Sequence, residues 1–168
     1  MTSLDKDAGP LRVLVVDDEA LARRNLIILL RRDPGIGAIV ECASGFEAVS
    51  AIRQSRYDLV FLDVQMPECD GFDVLELLGG DLPPAVVFVT AYQEYALRAF
   101  DAGALDYLLK PFDDARLGRA LHRAKERIAH HAQDQSQQAV RLVVKDRGRV
   151  LFVDSEEVDW IEAAGSYA

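Results

Sequence analysis

The chain has 168 residues, half of them hydrophobic, with 28 acidic and 19 basic side chains and a formal net charge of −9. Its length supports one well-cored domain of about 100–150 residues beside a smaller piece, and its acidic balance argues against general attraction to nucleic acid or an anionic membrane surface. Two cysteines without a CxxC spacing, Cys42 and Cys69, give no basis for a disulfide framework or a zinc site.

Residues 1–10 are polar and mixed in charge, without the basic and apolar blocks of a signal peptide, and are expected to form a flexible N-terminus. No apolar run approaches the ~20 residues that span a bilayer, so the expectation is a cytoplasmic protein with no membrane association.

From Leu11 onward, short apolar runs alternate with amphipathic stretches. Leu11–Val16 (LRVLVV), Leu59–Leu62 (LVFL), 85–89 (AVVFV) and 105–109 (LDYLL) are predicted strands, and 38–42 (AIVEC) is a weaker candidate. Continuous apolar runs of this kind belong to strands buried on both faces. Helices are predicted over 20–32, 46–54, 72–78 and 93–102. Ser44 and Glu47 have the spacing of a capping box ahead of the second of these. A fifth helix follows Asp113, its apolar positions Leu117, Ala120, Leu121, Ala124 and Ile128 falling on one face. Strands alternating with helices imply parallel βαβ units, so the predicted class is α/β: a flavodoxin-like, doubly wound, five-stranded parallel sheet with helices on both sides.

The predicted domain with this pattern spans residues 11–131. Residues 132–139 include QDQSQQ, lack large apolar groups and are predicted to be a linker. Beyond it, 140–145 and 149–153 are predicted strands around Asp146-Arg147-Gly148, with a further strand over 158–163. This β-rich fragment, 140–168, is too short to bury a core alone.

In open α/β sheets, ligands bind beyond the carboxyl ends of the strands. The residues predicted there are Asp17, Asp18 and Glu19 after the first strand, Asp63 after the third, Thr90 after the fourth, and Lys110-Pro111 after the fifth. Neighbouring carboxylates repel unless a cation shares them, and a hard divalent ion with oxygen ligands, Mg²⁺ above all, resolves that repulsion. An ammonium and a hydroxyl beside such an ion suit the oxygens of a phosphoryl group. Asp63 is the candidate nucleophile, since a carboxylate can form an aspartyl phosphate.

VLVVDDE (13–19), LDVQMPECDGF (62–72), VTA (89–91) and LDYLLKPF (105–112) together resemble the signature blocks of response regulator receiver domains. The resemblance implies that Asp63 is the phosphoacceptor and that Asp18 and Asp63 bind Mg²⁺ directly. It also implies that Asp17 acts on the metal through water and Gln65 through its backbone carbonyl. Thr90 and Lys110 would contact the phosphoryl oxygens, the Lys110-Pro111 bond would be cis, and Tyr107 would be the switch aromatic that turns inward with Thr90. Gln65 and Tyr92 flank the path of an attacking water, the amide able to orient it and the tyrosine to screen it. The expected partners are a histidine kinase and a second copy, paired through the face of the fourth helix, fifth strand and fifth helix.

ALDYLLKPF, a linker and then VKDRGRVLFVDSEEVDWIEAAGSYA further resemble regulators with a LytTR-type DNA-binding output domain. That resemblance implies a transcription regulator of which 140–168 is only the start of the output domain. The last basic residue is Arg149, so DNA binding is expected for a full-length parent and weak or absent for this chain. Two alternatives compete. A phosphatase with an aspartyl nucleophile, as in haloacid-dehalogenase-like proteins, needs an acid two residues after the nucleophile, where Gln65 stands. A stand-alone module that binds a protein target is disfavoured by the tail. The expectation is therefore a phosphoacceptor switch and not an enzyme with a separate substrate.

Overall fold

The computed structural model describes residues 9–139, 141–146 and 149–154. The chain divides into two compact units, 1–129 and 130–168. In the first, strands and helices alternate: β1 (Leu11–Val16), α1 (Ala20–Leu30), β2 (Ile36–Cys42), α2 (Gly45–Gln54), β3 (Leu59–Leu62), α3 (Gly71–Leu78), β4 (Ala85–Thr90), α4 (Ala96–Asp101), β5 (Asp106–Leu109) and the start of α5 (Asp114–Ala139). All five strands run parallel, in the order β2-β1-β3-β4-β5. That is the predicted doubly wound sheet.

The two-residue period of the strands divides the core into two layers. Leu14, Val16, Val60, Leu62, Val86 and Phe88 pack on one side of the sheet with residues of α2 and α3. Val13, Val15, Leu59, Phe61, Val87 and Val89 pack on the other with Leu26 and Leu30 of α1 and Leu117, Ala120, Leu121 and Ala124 of α5. Each such side chain, fully buried, contributes roughly 1.5–3 kcal/mol relative to exposure. β1, β3 and β4 are buried almost throughout, whereas the edge strand β2 is buried fully only at Cys42. Edge position explains why β2 carries the weakest sequence signal; it begins at Ile36 rather than at residue 38 because Ile36 pairs with Leu11 ahead of a register shift.

Helix starts follow their caps. Ser44 accepts from the Glu47 amide, but Glu47 reaches back to the amide of Ala43 rather than that of Ser44. The reciprocal capping box is at α3 instead, between Asp70 and Asp73. Asp113 accepts from the amide of Arg116 and starts α5. The predicted helix 93–102 is divided: Gln93–Tyr95 forms a 3-10 turn and α4 begins only at Ala96. Tightened turns are common at helix termini.

In the second unit, β6 (Arg141–Asp146) pairs antiparallel with β7 (Arg149–Asp154). The stretch 132–139, read from composition as a linker, is helical as the end of α5. Polar, alanine- and glutamine-containing sequence sustains a helix without an apolar stripe. Residues 1–8, the Arg147-Gly148 turn, the expected strand over 158–163 and Trp160 lie outside the described residues. No helix among those described is long and apolar enough to cross a membrane.

Candidate phosphoryl-acceptor site

Strand order reverses between β1 and β3, and the residues that follow these two strands meet there. Asp17 is buried, Asp63 is buried and Asp18 is exposed. One oxygen from each lies within 4.8 Å of the others. An all-oxygen donor set with one side open to solvent fits a hard divalent cation that keeps some of its water.

Lys110, at the end of β5, points into the same cluster. Its Nζ donates to Asp17 Oδ2 at 2.5 Å and lies 3.7 Å from Asp63 Oδ2. Burial alone would lower the Lys110 pKa, but the bond to Asp17 and the charge of Asp63 outweigh it and raise it. The ammonium therefore stays charged. The peptide bond from Lys110 to Pro111 is cis.

Asp63 Oδ1 and Thr90 Oγ1 are both buried and, among the described residues, have no hydrogen-bond partner. Buried polar atoms without partners cost free energy and call for an explanation in function. Burial raises the Asp63 carboxyl above its ordinary pKa, Lys110 opposes this, and the charge of Asp17 adds to it. An Asp63→Asn variant in metal-free buffer at neutral pH is therefore expected to gain about 1 kcal/mol of stability, because it keeps the shape and removes a buried like charge. Urea unfolding with a chelator present checks this; a less stable variant would show that the pairing with Lys110 outweighs burial and repulsion.

The other predicted residues divide. Tyr107 is buried and its hydroxyl donates to the backbone carbonyl of Tyr92. Gln65 is exposed, and its amide donates to the hydroxyl of Tyr95 at 3.0 Å. Tyr92 itself stands edge-on to Tyr95, with ring centroids 6.1 Å apart.

Several residues that sequence reasoning passed over, or read only as part of a turn, support the site. Arg23 donates to the Asp17 carbonyl at 2.7 Å and pairs with Glu41 at 3.1 Å, fixing the turn that carries the first two carboxylates. Its partners lie on other elements, so no spacing in the sequence signals the role. Gly71 donates to the Val64 carbonyl at 2.8 Å, and a Cβ there would meet the Asp63 carbonyl oxygen at 2.4 Å. Asp106, buried in β5, is held by Arg116 at 2.6 and 3.0 Å, and Arg116 also donates to the Tyr107 carbonyl at 2.9 Å. His122 takes no part: it is exposed and faces Glu126 at 3.4 Å.

Residues 13–122 match the family model of the response regulator receiver domain. The chain belongs to that family. It is 41% identical over 143 residues to the transcriptional regulatory protein BtsR of Salmonella typhi, covering 85% of this chain and 57% of that protein. It is 47% identical over 117 residues to the sensory transduction protein LytT of Bacillus cereus, covering 69% of this chain and 48% of that protein. The chain thus spans about half the length of these curated relatives. Among solved structures it resembles the response regulator TrrA of Thermotoga maritima, in complex with Mg²⁺-BeF, with 29% identity and a TM-score of 0.61 over 68% of this chain and 98% of that one. The relatives are LytTR-type regulators, as the tail suggested, and the family is not one of phosphatases.

Proposed function

We propose that Asp63 accepts a phosphoryl group from a histidine kinase, with Mg²⁺ held by Asp17, Asp18 and Asp63, and that phosphorylation switches a transcription regulator. The observation that carries this reading is the pair of buried, unpartnered oxygens, Asp63 Oδ1 and Thr90 Oγ1, beside the charged Lys110. They provide a nucleophile and a hydroxyl donor, and the ammonium adds positive charge.

An oxygen of Asp63 forms the new bond to phosphorus as the bond from phosphorus to the donor's imidazole nitrogen breaks, and that nitrogen keeps the electron pair. Bound Mg²⁺ supplies charge neutralisation for the carboxylates and the phosphoryl oxygens. Lys110 holds Asp17 now and pairs with a phosphoryl oxygen once one is present; Thr90 donates to another. Charge-assisted bonds of this kind are about twice as strong as neutral ones. Gln65 contributes its backbone carbonyl to the metal, and Asp17 acts through water. Loss of the phosphate by hydrolysis at the same centre makes the protein a timed switch rather than an enzyme with its own substrate.

Tyr107 follows Thr90 as the switch aromatic, and the face of α4, β5 and α5 pairs with a second copy. Leu97 and Phe100 of α4 and Leu109 of β5 are exposed there, which suits such a contact. The full-length parent carries the signal to DNA through an output domain that 140–168 begins, as the similarity to BtsR and LytT supports.

Beryllium fluoride, a phosphoryl mimic, tests the site without covalent chemistry. With Mg²⁺ present it is expected to raise the unfolding temperature of the wild type by several degrees, as binding to the native state alone does. The Asp63→Asn variant is expected to show no such rise. A rise in both, or one that does not need Mg²⁺, would place the ligand elsewhere.

A further inference from the structure

Gln65 and Tyr95 are 30 residues apart in sequence and joined side chain to side chain at 3.0 Å. One follows Asp63 by two residues, the other follows Thr90 by five. Their bond therefore ties together the two loops that carry the acceptor carboxylate and the acceptor hydroxyl. Tyr95 ends the 3-10 turn immediately before α4. Its ring lies 6.1 Å from those of both Phe72 and Tyr92, and Phe72 in turn packs on Phe88 at 5.0 Å and lies under the Arg98 guanidinium at 3.9 Å. The phenol is held by its ring contacts, while the amide of Gln65 is exposed and depends on the hydroxyl for its position.

We infer that Tyr95 is a positioning residue that pins Gln65 across the opening beside Asp63, and that this bridge limits the approach of water to the phosphorylated carboxylate. The inference rests on the phosphoacceptor reading above. It assigns the screening role to the Gln65–Tyr95 pair rather than to Tyr92 alone. It also gives Gln65 a covering role in place of a water-orienting one. One weak hydrogen bond, worth about the usual net contribution, sets the scale: its loss changes a rate by roughly threefold to tenfold.

The test is the rate of phosphate loss after labelling with phosphoramidate and Mg²⁺, followed by intact mass in wild type, Tyr95→Phe, Gln65→Ala and the double variant. Tyr95→Phe keeps the ring against Phe72 and Tyr92 and removes only the hydroxyl, so its unfolding midpoint should fall by no more than one exposed hydrogen bond accounts for. Both single variants are expected to lose phosphate roughly threefold to tenfold faster, and the double variant no faster than either, because one shared bond is lost in all three. A merely structural role for Tyr95 would not produce that non-additive rate with so small a loss of stability. Wild-type decay in Tyr95→Phe would overturn the inference. Slower decay in Gln65→Ala would also overturn it, in favour of an amide that orients water. Failure of the wild type to take any phosphoryl group would sink the acceptor reading itself, which the other outcomes leave intact.

Discussion

A Gly71→Ala variant is expected to lose about 2–3 kcal/mol of stability and to take up phosphate on the order of 10²-fold more slowly. The added Cβ would lie 2.4 Å from the Asp63 carbonyl oxygen and 2.8 Å from the Phe88 ring. Neither obstacle is a flexible side-chain end. One is the backbone of the acceptor residue and the other a ring in the core, so relief requires the β3–α3 loop to shift. That shift also stretches the bond from the Gly71 amide to the Val64 carbonyl, 2.8 Å long. A displacement of this kind moves the Asp63 carboxylate relative to Thr90 and Lys110, where small misplacements cost rate steeply. Gly118→Ala is the internal comparison. Gly118 is exposed on α5 with nothing within 4 Å of an added Cβ, so the same substitution there is expected to stabilise by about 0.5–1 kcal/mol. Urea unfolding of both variants, with the rate of adduct formation, separates strain behind the site from the general effect of replacing glycine. Equal stability of the two variants would show that the loop yields freely.

The second large effect is remote from the acceptor. Arg116→Met is expected to cost about 3 kcal/mol, although it removes a partly exposed side chain. The reason is what remains. Asp106 is only 1% exposed and would keep one backbone donor, the Tyr107 amide at 2.8 Å, and a long contact to Arg123 at 3.5 Å. A buried carboxylate stripped of its main partner pays its desolvation without compensation. The pH dependence follows with a definite sign. Burial pushes the Asp106 carboxyl up, but the bonds from Arg116 outweigh it and hold it below the ordinary carboxylate value. A depressed folded-state pKa gives stability that is present above the unfolded value, about 4, and lost as the pH falls through the folded one. The gap between wild type and variant is thus expected to be widest at neutral pH and to close in acid. A gap that is constant from neutral pH down to about pH 3 would show that Arg116 acts through packing of its stem and not through Asp106.

These two residues also show where the sequence was and was not legible. The sheet could be read because β1, β3 and β4 are buried on both faces and must therefore be continuous apolar runs. The acidic rim could be read because strand ends in such a sheet converge, and Asp17, Asp63, Thr90 and Lys110 each follow a strong strand signal. Asp106 could not be read in the same way. It lies inside LDYLL, and only the three-dimensional meeting with Arg116 explains a charge in a buried strand. Gly71 was visible as a turn residue after Asp70, but the reason for glycine is the close approach to the back of Asp63, which spacing cannot reveal. Gln65 was singled out from its distance to Asp63, but its tie to Tyr95 was not, because periodicity presents 93–102 as one continuous helix whereas Tyr95 lies in a 3-10 turn at 93–95. The helical end of α5 was missed for a related reason. Residues 132–139 lack an apolar stripe, and the absence of a stripe was read as absence of structure.

The direct test of the central claim is intact mass after incubation with acetyl phosphate and Mg²⁺, with wild type and Asp63→Asn side by side. A single phosphoryl adduct is expected on the wild type, absent when Mg²⁺ is chelated and absent from the variant. No adduct on folded wild type, or an equal adduct on Asp63→Asn, would contradict the assignment of Asp63 as the phosphoryl acceptor.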